Sequence, residues 1–338
     1  MQALFVKGAF VFKLYTRRLW LLIVPTVLLI AACVQPAAPA APATGGAEAN
    51  AEKVMIKLAQ NTWSASRLNV AIAKILLEKQ LGYPVEVVDV DEQPQWASIA
   101  TGDLHASLEV WPSGHADNVA EYIDAQKVVE NGGPLGPVGK IGWFVPTYLL
   151  AEYPDLATWE GFTTPEAAAL FATAETGDSG QFLAGDTGWV QYDADIIENL
   201  GLDFQVVTAG SEEALLSALD AAYSRQAPIL FYFYKPHAAF TKYDLTEVAL
   251  PAYSAECYAQ ADAGGIACAY PEDNLFKIFW SGLQAAAPEA YALLKNMTYD
   301  TDTQIALIAE VELNGKSVEE TAQAWVDANE GVWSTWLP

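Results

Sequence analysis

Apolar and polar positions alternate with two different periods in the first part of the chain, and the alternation predicts a β-α-β-α-β order. Short apolar runs at Val54–Leu58, Val85–Val90 and His105–Val110 are typical of strands. Between them, apolar residues recur near the 3.6-residue helical period over Ser66–Leu81, and Trp96–Thr101 predicts a shorter helix. Such a unit forms a mostly parallel sheet with helices on its faces, and its ligand crevice lies at the carboxyl ends of the strands.

A second unit of the same kind follows Gly132–Gly139, whose glycines and prolines predict a loop. The chain is expected to cross into this unit at Lys140–Val145 and to leave it near Val248–Tyr253. The elements predicted between the crossings are helices over Pro165–Ala174, Val190–Leu200 and Ser211–Ser224 and strands over Phe204–Val207 and Ile229–Phe233. The helices expected to finish the chain are Asp273–Ala286, Glu289–Asn296, Thr301–Leu313 and Ser317–Glu330.

Two α/β units joined by two crossings predict a hinged clamshell. We expect lobe I to comprise residues 53–142 and 249–338, and lobe II to comprise residues 143–248. A ligand that contacts both lobes at once closes such a clamshell by shifting the population toward the closed state.

The first 52 residues are predicted to be targeting and tether sequence. A basic stretch ending in Arg17-Arg18 precedes an apolar run that is short for a membrane span, so residues 1–32 are typical of a signal peptide. The run closes on Ile30-Ala-Ala-Cys33, which has the pattern of a bacterial lipobox. Lipidation of Cys33 would anchor the chain to the outer face of the cytoplasmic membrane. Residues 33–52 are rich in Pro, Ala and Gly and predict a flexible linker.

Charge and cysteine content agree with an exported protein. The 338 residues carry a formal net charge of −25, which disfavours a nucleic-acid partner because phosphates would be repelled. Such acidity is typical of a protein that must remain soluble outside a cell. Cys257 and Cys268 flank a glycine-containing loop and are predicted to form a disulfide. No CxxC spacing or neighbouring His supports a redox or metal role for them.

Three aromatic residues lie where predicted strands or turns end, each beside Gly or Pro. They are Trp111, Trp189 and Tyr234. Aromatic rings at strand ends suit a box that binds a quaternary ammonium, since methylated nitrogen donates no hydrogen bond but is attracted by ring quadrupoles. A helix expected to start near Val190 would also offer free backbone N–H groups to a carboxylate. The alternative for each ring is packing in the core.

The ordered motifs of the mature chain resemble the substrate-binding proteins of ABC importers for glycine betaine and related compatible solutes. The resemblance covers nearly the whole mature chain and implies the two-lobed, type II periplasmic-binding-protein fold. The segments that carry it are Leu77–Val85, Gly102-Asp103, Trp111–His115, the turn at Trp189, Tyr234–His237 and Ala324–Asn329 with Trp333.

The resemblance assigns site residues position by position. Trp111, Trp189 and Tyr234 match the aromatic box of the family, although Tyr234 stands where the family usually has Trp. Trp63 and Trp143 match places where some members add a further ring.

Two histidines and one acid beside these rings are each open to two interpretations. His237 is a candidate donor to a ligand carboxylate, or a surface histidine. His115 follows Trp111 by four residues and either contributes to the site or orients that turn. Glu109 either meets the cation or is hydrogen-bonded within the structure.

The resemblance implies a binding protein that delivers a quaternary ammonium solute, with glycine betaine as the expected ligand, to a permease and its ATPase subunit. A choline or carnitine binder, or a sensory or adhesion lipoprotein, is the alternative. Gly177-Asp-Ser-Gly180 is similar to the nucleophile turn of trypsin-like proteases, but no His stands in a suitable motif. We therefore expect neither catalysis nor a cofactor or metal.

Overall fold

The computed structural model describes residues 53–338, apart from the side chain of Asp262. The expected signal peptide, lipidated Cys33 and linker lie outside the described residues. Within the described part of the chain, no helix has the length and apolar character that a membrane crossing requires.

The described residues form a mixed α/β fold. Its strands are β1 (Ile56–Gln60), β2 (Val85–Asp89), β3 (Ala106–Val110), β4 (Val129–Pro146), β5 (Gly180–Ala184), β6 (Phe204–Thr208), β7 (Leu230–Lys235), β8 (Leu245–Glu247) and β9 (Glu272–Trp280). Its α-helices are α1 (Ser64–Lys79), α2 (Glu92–Thr101), α3 (Ala116–Asn118), α4 (Pro165–Phe171), α5 (Asp193–Asn199), α6 (Glu212–Arg225), α7 (Ala239–Lys242), α8 (Ala255–Tyr258), α9 (Leu283–Ala286), α10 (Pro288–Asn296), α11 (Thr301–Glu312), α12 (Val318–Ala328) and α13 (Glu330–Trp333).

The strands lie in one sheet in the order β2-β1-β3-β9-β4-β7-β5-β6, with β8 paired to β4. In its first half, β1 is parallel to both β2 and β3. In its second half, β5 is parallel to both β6 and β7. The long strands β4 and β9 pair antiparallel and connect the halves. The expected β-α alternation is therefore present in both halves.

Two expectations about the middle of the sheet were wrong. Gly132–Gly139 is part of β4 rather than a loop, because it pairs with β9 through two register irregularities. Glycine is required along this strand: a Cβ at Gly139 would lie 2.3 Å from the ring of Trp111. The expected helix Asp273–Ala286 is instead strand β9 followed by the short helix α9.

Local sequence signals explain several helix boundaries. The side chain of Ser211 caps α6 by accepting from the backbone N–H of Ala214, and Ser317 with Glu320 forms a capping box at α12. The helix expected from Val190 begins only at Asp193.

The boundaries of the two expected lobes stay a prediction, since β4 runs through residue 142 without a break. Beyond β8, Cys257 and Cys268 are joined by a disulfide with Cα atoms 6.5 Å apart.

Candidate ligand-binding site

Four aromatic side chains reach one cavity from the ends of four strands. Trp63 follows β1 and Trp111 follows β3, its parallel neighbour in the first half of the sheet. Trp189 lies in the turn after β5, and Tyr234 is near the end of β7, the parallel neighbour of β5. Each half of the sheet therefore presents its rings at the carboxyl ends of its parallel strands, where α/β folds bind ligands.

The empty space of the cavity, including the part that is open to solvent, is about 420 Å³. Its lining is mainly aromatic. The lining residues are Trp63, Glu92, Trp111, Ser113, Gly114, Ile141, Trp189, Val190, Tyr192, Tyr232, Tyr234 and Tyr270.

The four rings meet edge to face. The ring centroids of Trp63 and Trp189 are 6.2 Å apart at an interplanar angle of 86°. Trp189 and Tyr234 are 5.9 Å apart at 86°, and Tyr234 and Trp111 are 5.5 Å apart at 81°. Perpendicular contacts of this kind are favourable between aromatic rings. They place the four rings side by side around the cavity. We call Trp63 with Trp111 the first wall, and Trp189 with Tyr234 the second wall.

Glu109, in β3, holds both indoles of the first wall. Its Oε1 accepts hydrogen bonds from Trp63 Nε1 at 2.7 Å and from Trp111 Nε1 at 3.1 Å. Its Oε2 accepts from Asn69 Nδ2 at 2.7 Å and from Gln304 Nε2 at 3.2 Å. Burial raises the pKa of Glu109 to about 7, against the opposing effect of these hydrogen bonds.

Glu212, the first residue of α6, holds Tyr234 of the second wall. Its Oε1 accepts from Tyr234 Oη at 2.5 Å and from His237 Nε2 at 2.8 Å. His237 Nδ1 accepts from the backbone N–H of Ala239, so the ring hydrogen is on Nε2. The Oε2 atom of Glu212 accepts from the N–H of Ser64 at 2.7 Å. Burial acts to raise the pKa of Glu212, but the hydrogen bonds outweigh it and hold that pKa below its ordinary value.

Glu92 supplies a carboxylate to the lining. Its Oε2 accepts from the backbone N–H of Val190 at 2.9 Å and lies 3.4 Å from His115 Nε2. His115 is itself buried, and its Nδ1 contacts Asn118 Nδ2 at 3.3 Å. The amide of Val190, expected to bind a carboxylate, therefore bonds to one that the protein supplies.

Trp143, in β4, lies behind the lining. Its Nε1 donates to Asp193 Oδ1 at 2.6 Å, and its ring centroid is 4.8 Å from that of Phe182. Asp193 Oδ1 also accepts from Tyr270 Oη at 3.0 Å. Burial raises the pKa of Asp193 to about 7, against these hydrogen bonds. Trp143 is linked to the lining through Asp193 and Tyr270 and through its pairing with Tyr232 in the sheet.

Sequence reasoning located all four rings and Val190, which the structure brings to one cavity. It also proposed Trp143, His115 and His237, which do not line that cavity. His115 lies behind Glu92, and His237 lies behind Tyr234 through Glu212.

The lining residues that sequence reasoning missed are Glu92, Ser113, Gly114, Ile141, Tyr192, Tyr232 and Tyr270. A signal existed for Tyr232, which is two residues before Tyr234 in β7 and so lies on the same face of the strand. No local sequence signal marks Glu92 or Tyr270, because the tertiary fold brings their segments to the cavity.

The polar part of the cavity is acidic. Glu92 is the acidic side chain among the described residues that line the cavity, and this lining contains no Lys, Arg or His. Behind the lining, Asp273 accepts from the N–H and the Oγ of Ser113 at 2.8 and 2.7 Å, and burial raises the pKa of Asp273 to about 6. Residues 53–338 contain no group of His, Cys, Asp and Glu side chains arranged to hold a metal ion.

Residues 54–328 match the OpuAC family, the substrate-binding domain of ABC-type glycine betaine transport systems. The chain belongs to this family. It shares the two-lobed fold of type II periplasmic binding proteins, since it is similar to two solved structures of that kind. Lactococcal OpuAC in its closed conformation with glycine betaine is 22% identical, with a TM-score of 0.66 over 85% of this chain and 100% of that one. An ABC-transporter choline-binding protein in complex with choline is 18% identical, with a TM-score of 0.66 over 83% and 91%.

A sequence relative spans almost the same length. The trimethylamine N-oxide-binding protein of Pelagibacter ubique (strain HTCC1062) is 28% identical over 296 residues, which are 83% of this chain and 90% of that protein.

Proposed function

We propose that this protein is the extracytoplasmic, lipid-anchored substrate-binding component of an ABC importer and that it captures a small trimethylammonium compound. The observation that carries the proposal is the convergence of four rings, from both halves of the sheet, on one cavity. Each ring around a desolvated methylated nitrogen contributes about 0.5–2 kcal/mol. A box of this kind, with one polar contact, supports micromolar affinity, about −8 kcal/mol.

The polar end of the cavity favours trimethylamine N-oxide as the ligand. The side chain of Glu92 would repel the carboxylate of glycine betaine more strongly than the single N-oxide oxygen, which is bonded directly to the cationic nitrogen. No Lys, Arg or His in the described lining would offset that repulsion. The amides of Val190 and Ser113 are already bonded to carboxylates of the protein. The hydroxyl of Tyr232 makes no hydrogen bond to another described residue and suits a single oxygen acceptor. The full-length relative named for this N-oxide supports the same choice.

Glycine betaine is the second candidate, because the family description names it. Binding and delivery to a permease account for the site, and we propose no catalysis. Ser179, in the protease-like tetrapeptide, donates to Asp203 at 2.7 Å on an exposed turn, and among the described residues no His contacts it.

Titration calorimetry with trimethylamine N-oxide, glycine betaine, choline and carnitine tests the proposal, with L-proline as the unmethylated control. We expect the N-oxide to bind at micromolar concentration and glycine betaine to bind at least about tenfold more weakly. Glu92→Gln keeps an acceptor for the Val190 amide but removes the negative charge. We therefore expect this variant to show a smaller difference between its affinities for the N-oxide and for glycine betaine. Absence of binding below about millimolar for every methylated compound would contradict the proposed function.

A further inference from the structure

Glu109 is a buried carboxylate without a cationic partner. Its side chain is 1% exposed, and no Lys, Arg or His of residues 53–338 forms an ion pair with it. A buried, unpaired charge is costly, and its usual response is to become neutral. A glutamine at this position would avoid that cost, so the carboxylate calls for a physical reason.

The hydrogen bonds of Glu109 point to that reason. One oxygen accepts from the indole N–H of both Trp63 and Trp111. An indole N–H is a donor only, so its ring orientation depends on where an acceptor is placed. A single acceptor shared by two indoles makes both N–H groups point toward one place and so restrains both rings together. The other oxygen is held by Asn69 and Gln304, so the carboxylate itself cannot rotate away.

We propose that Glu109 is a positioning residue that orients both rings of the first wall and, through its negative charge behind them, strengthens their attraction for a cationic ligand head. The inference rests on the proposed function. Hydrogen bonds from an indole to an anion polarise the donor, and the charge acts across a dry region in which Coulomb interactions are strong. Glu109 does not touch the ligand in this arrangement.

Ligand binding is then coupled to the ionisation of Glu109. A ligand cation favours the ionised carboxylate, whose pKa is raised by burial to about 7 in the free protein. At pH 8 nearly all molecules carry the charge, whereas at pH 6 about one in ten does. If only the ionised form binds well, the apparent affinity falls about tenfold from pH 8 to pH 6.

Other groups face the same region and must be separated from Glu109. Glu212, on α6, raises the pKa of Glu109 through its charge, and it is bonded to His237. The hydroxyls of Tyr234 and Tyr299 are also close enough for Glu109 to raise their pKa values, after burial as the main cause. Further acids near this region, on other elements, are the buried Glu92, Asp193 and Asp273 and the half-buried Glu312.

The test uses the full-length protein and tetramethylammonium, a cation without a polar end, which isolates the rings from the rest of the cavity. For the wild type we expect about a tenfold loss of affinity between pH 8 and pH 6, measured by calorimetry. Glu109→Gln should bind about tenfold more weakly at pH 8 and show a flat profile. Asn69 Oδ1, which has no partner among the described residues, can accept from the new amide once the Asn69 side chain turns over.

The outcomes separate this inference from the proposed function. A wild type that binds neither tetramethylammonium nor trimethylamine N-oxide contradicts the function. A wild type that binds, together with a Glu109→Gln variant of equal affinity and equal pH profile, overturns only the role of Glu109. If the pH dependence of affinity persists in Glu109→Gln, another acid titrates, and this result would also overturn the role of Glu109.

Two further readouts hold even where Glu109→Gln does not fold. Glu109→Asp keeps the charge but is one methylene shorter, so we expect weaker binding with the pH dependence retained; wild-type affinity would contradict the positioning role. In the wild type, the indole ¹⁵N–¹H resonances of Trp63 and Trp111, assigned with Trp→Phe variants, should shift together with a midpoint near pH 7. Resonances that do not move in this range would overturn the inference.

Discussion

The two walls of the aromatic box are held in different ways. Trp63 and Trp111 share one acceptor, Glu109, which lies in the same half of the sheet as both rings. The second wall depends on the opposite half: Trp189 Nε1 donates to Thr62 Oγ1 at 2.9 Å. Tyr234 is held by Glu212, which also accepts from the first amide of α1. The first wall is therefore anchored within its own half, whereas the anchors of the second wall extend to the other half through Thr62 and Ser64.

On the proposed function, this difference would couple ligand capture to closure. Thr62 and Ser64 flank Trp63, so the segment that carries a ring of the first wall also anchors both rings of the second. A ligand that contacts both walls stabilises the conformation in which these anchors exist, which is a population shift. An open form would keep the Glu109 hydrogen bonds and lose those of Thr62 and Ser64.

Removal of a ring from the first wall should have the largest effect. Trp111→Ala deletes one face of the box and should cost about 2 kcal/mol or more, roughly 30-fold in affinity or more. Calorimetry with trimethylamine N-oxide measures the loss, and circular dichroism checks the fold. Trp159→Ala removes a Trp that does not line the cavity and should leave affinity unchanged. Retained affinity in Trp111→Ala would reject its place in the box.

Loss of the contact across the halves should have an intermediate effect. Glu212→Gln keeps one acceptor oxygen but cannot satisfy Tyr234, His237 and Ser64 together, so we expect about a tenfold loss of affinity through faster dissociation. Stopped-flow Trp fluorescence separates the two rate constants. The matched control is Glu213→Gln, which removes another contact between the same helices, the exposed ion pair with Arg67; a pair of this exposed type is worth little. Equal dissociation rates in the two variants would show that Glu212 does not stabilise closure.

Removal of one hydroxyl from the second wall should have the smallest effect. Tyr234→Phe keeps the ring and loses its bond to Glu212, so we expect about a threefold loss of affinity, within the net value of one hydrogen bond. Tyr234→Ala removes the ring as well and serves as the comparison. A Phe variant as weak as the Ala variant would mean that the hydroxyl, rather than the ring, carries the contribution of Tyr234.

Much of the site was predictable because parallel strands end at one edge. Trp111 directly follows an apolar run, Trp189 follows Gly188, and Tyr234 precedes Lys235-Pro236. Their positions at strand ends could therefore be predicted from neighbouring residues. The anchors were only partly predictable. Glu109 was a candidate because it lies two residues before Trp111, and the structure confirms the hydrogen-bonded alternative. Glu212 looks like an ordinary acid in the sequence, and the partners of both acids come from segments up to about 200 residues away.

The middle of the sheet shows the same limit. The apolar residues of β9 fit a helix when considered alone, and Gly132–Gly139 fits a loop. Each becomes a strand because the two segments pair with each other. The buried Lys277 of β9 donates from its Nζ to the backbone carbonyls of Lys295 and Met297, which tertiary folding brings to it.

The sequence by itself determined the α/β alternation and the rings at the strand ends, because these depend on local periodicity and on residues adjacent along the chain. The tertiary structure alone decided which carboxylates stand behind those rings, and that His115, His237 and Trp143 lie outside the cavity. Hydrogen-bond partners depend on distance in space, and burial affects whether an acid keeps its charge. Neither distance nor burial can be obtained from neighbouring residues in the sequence.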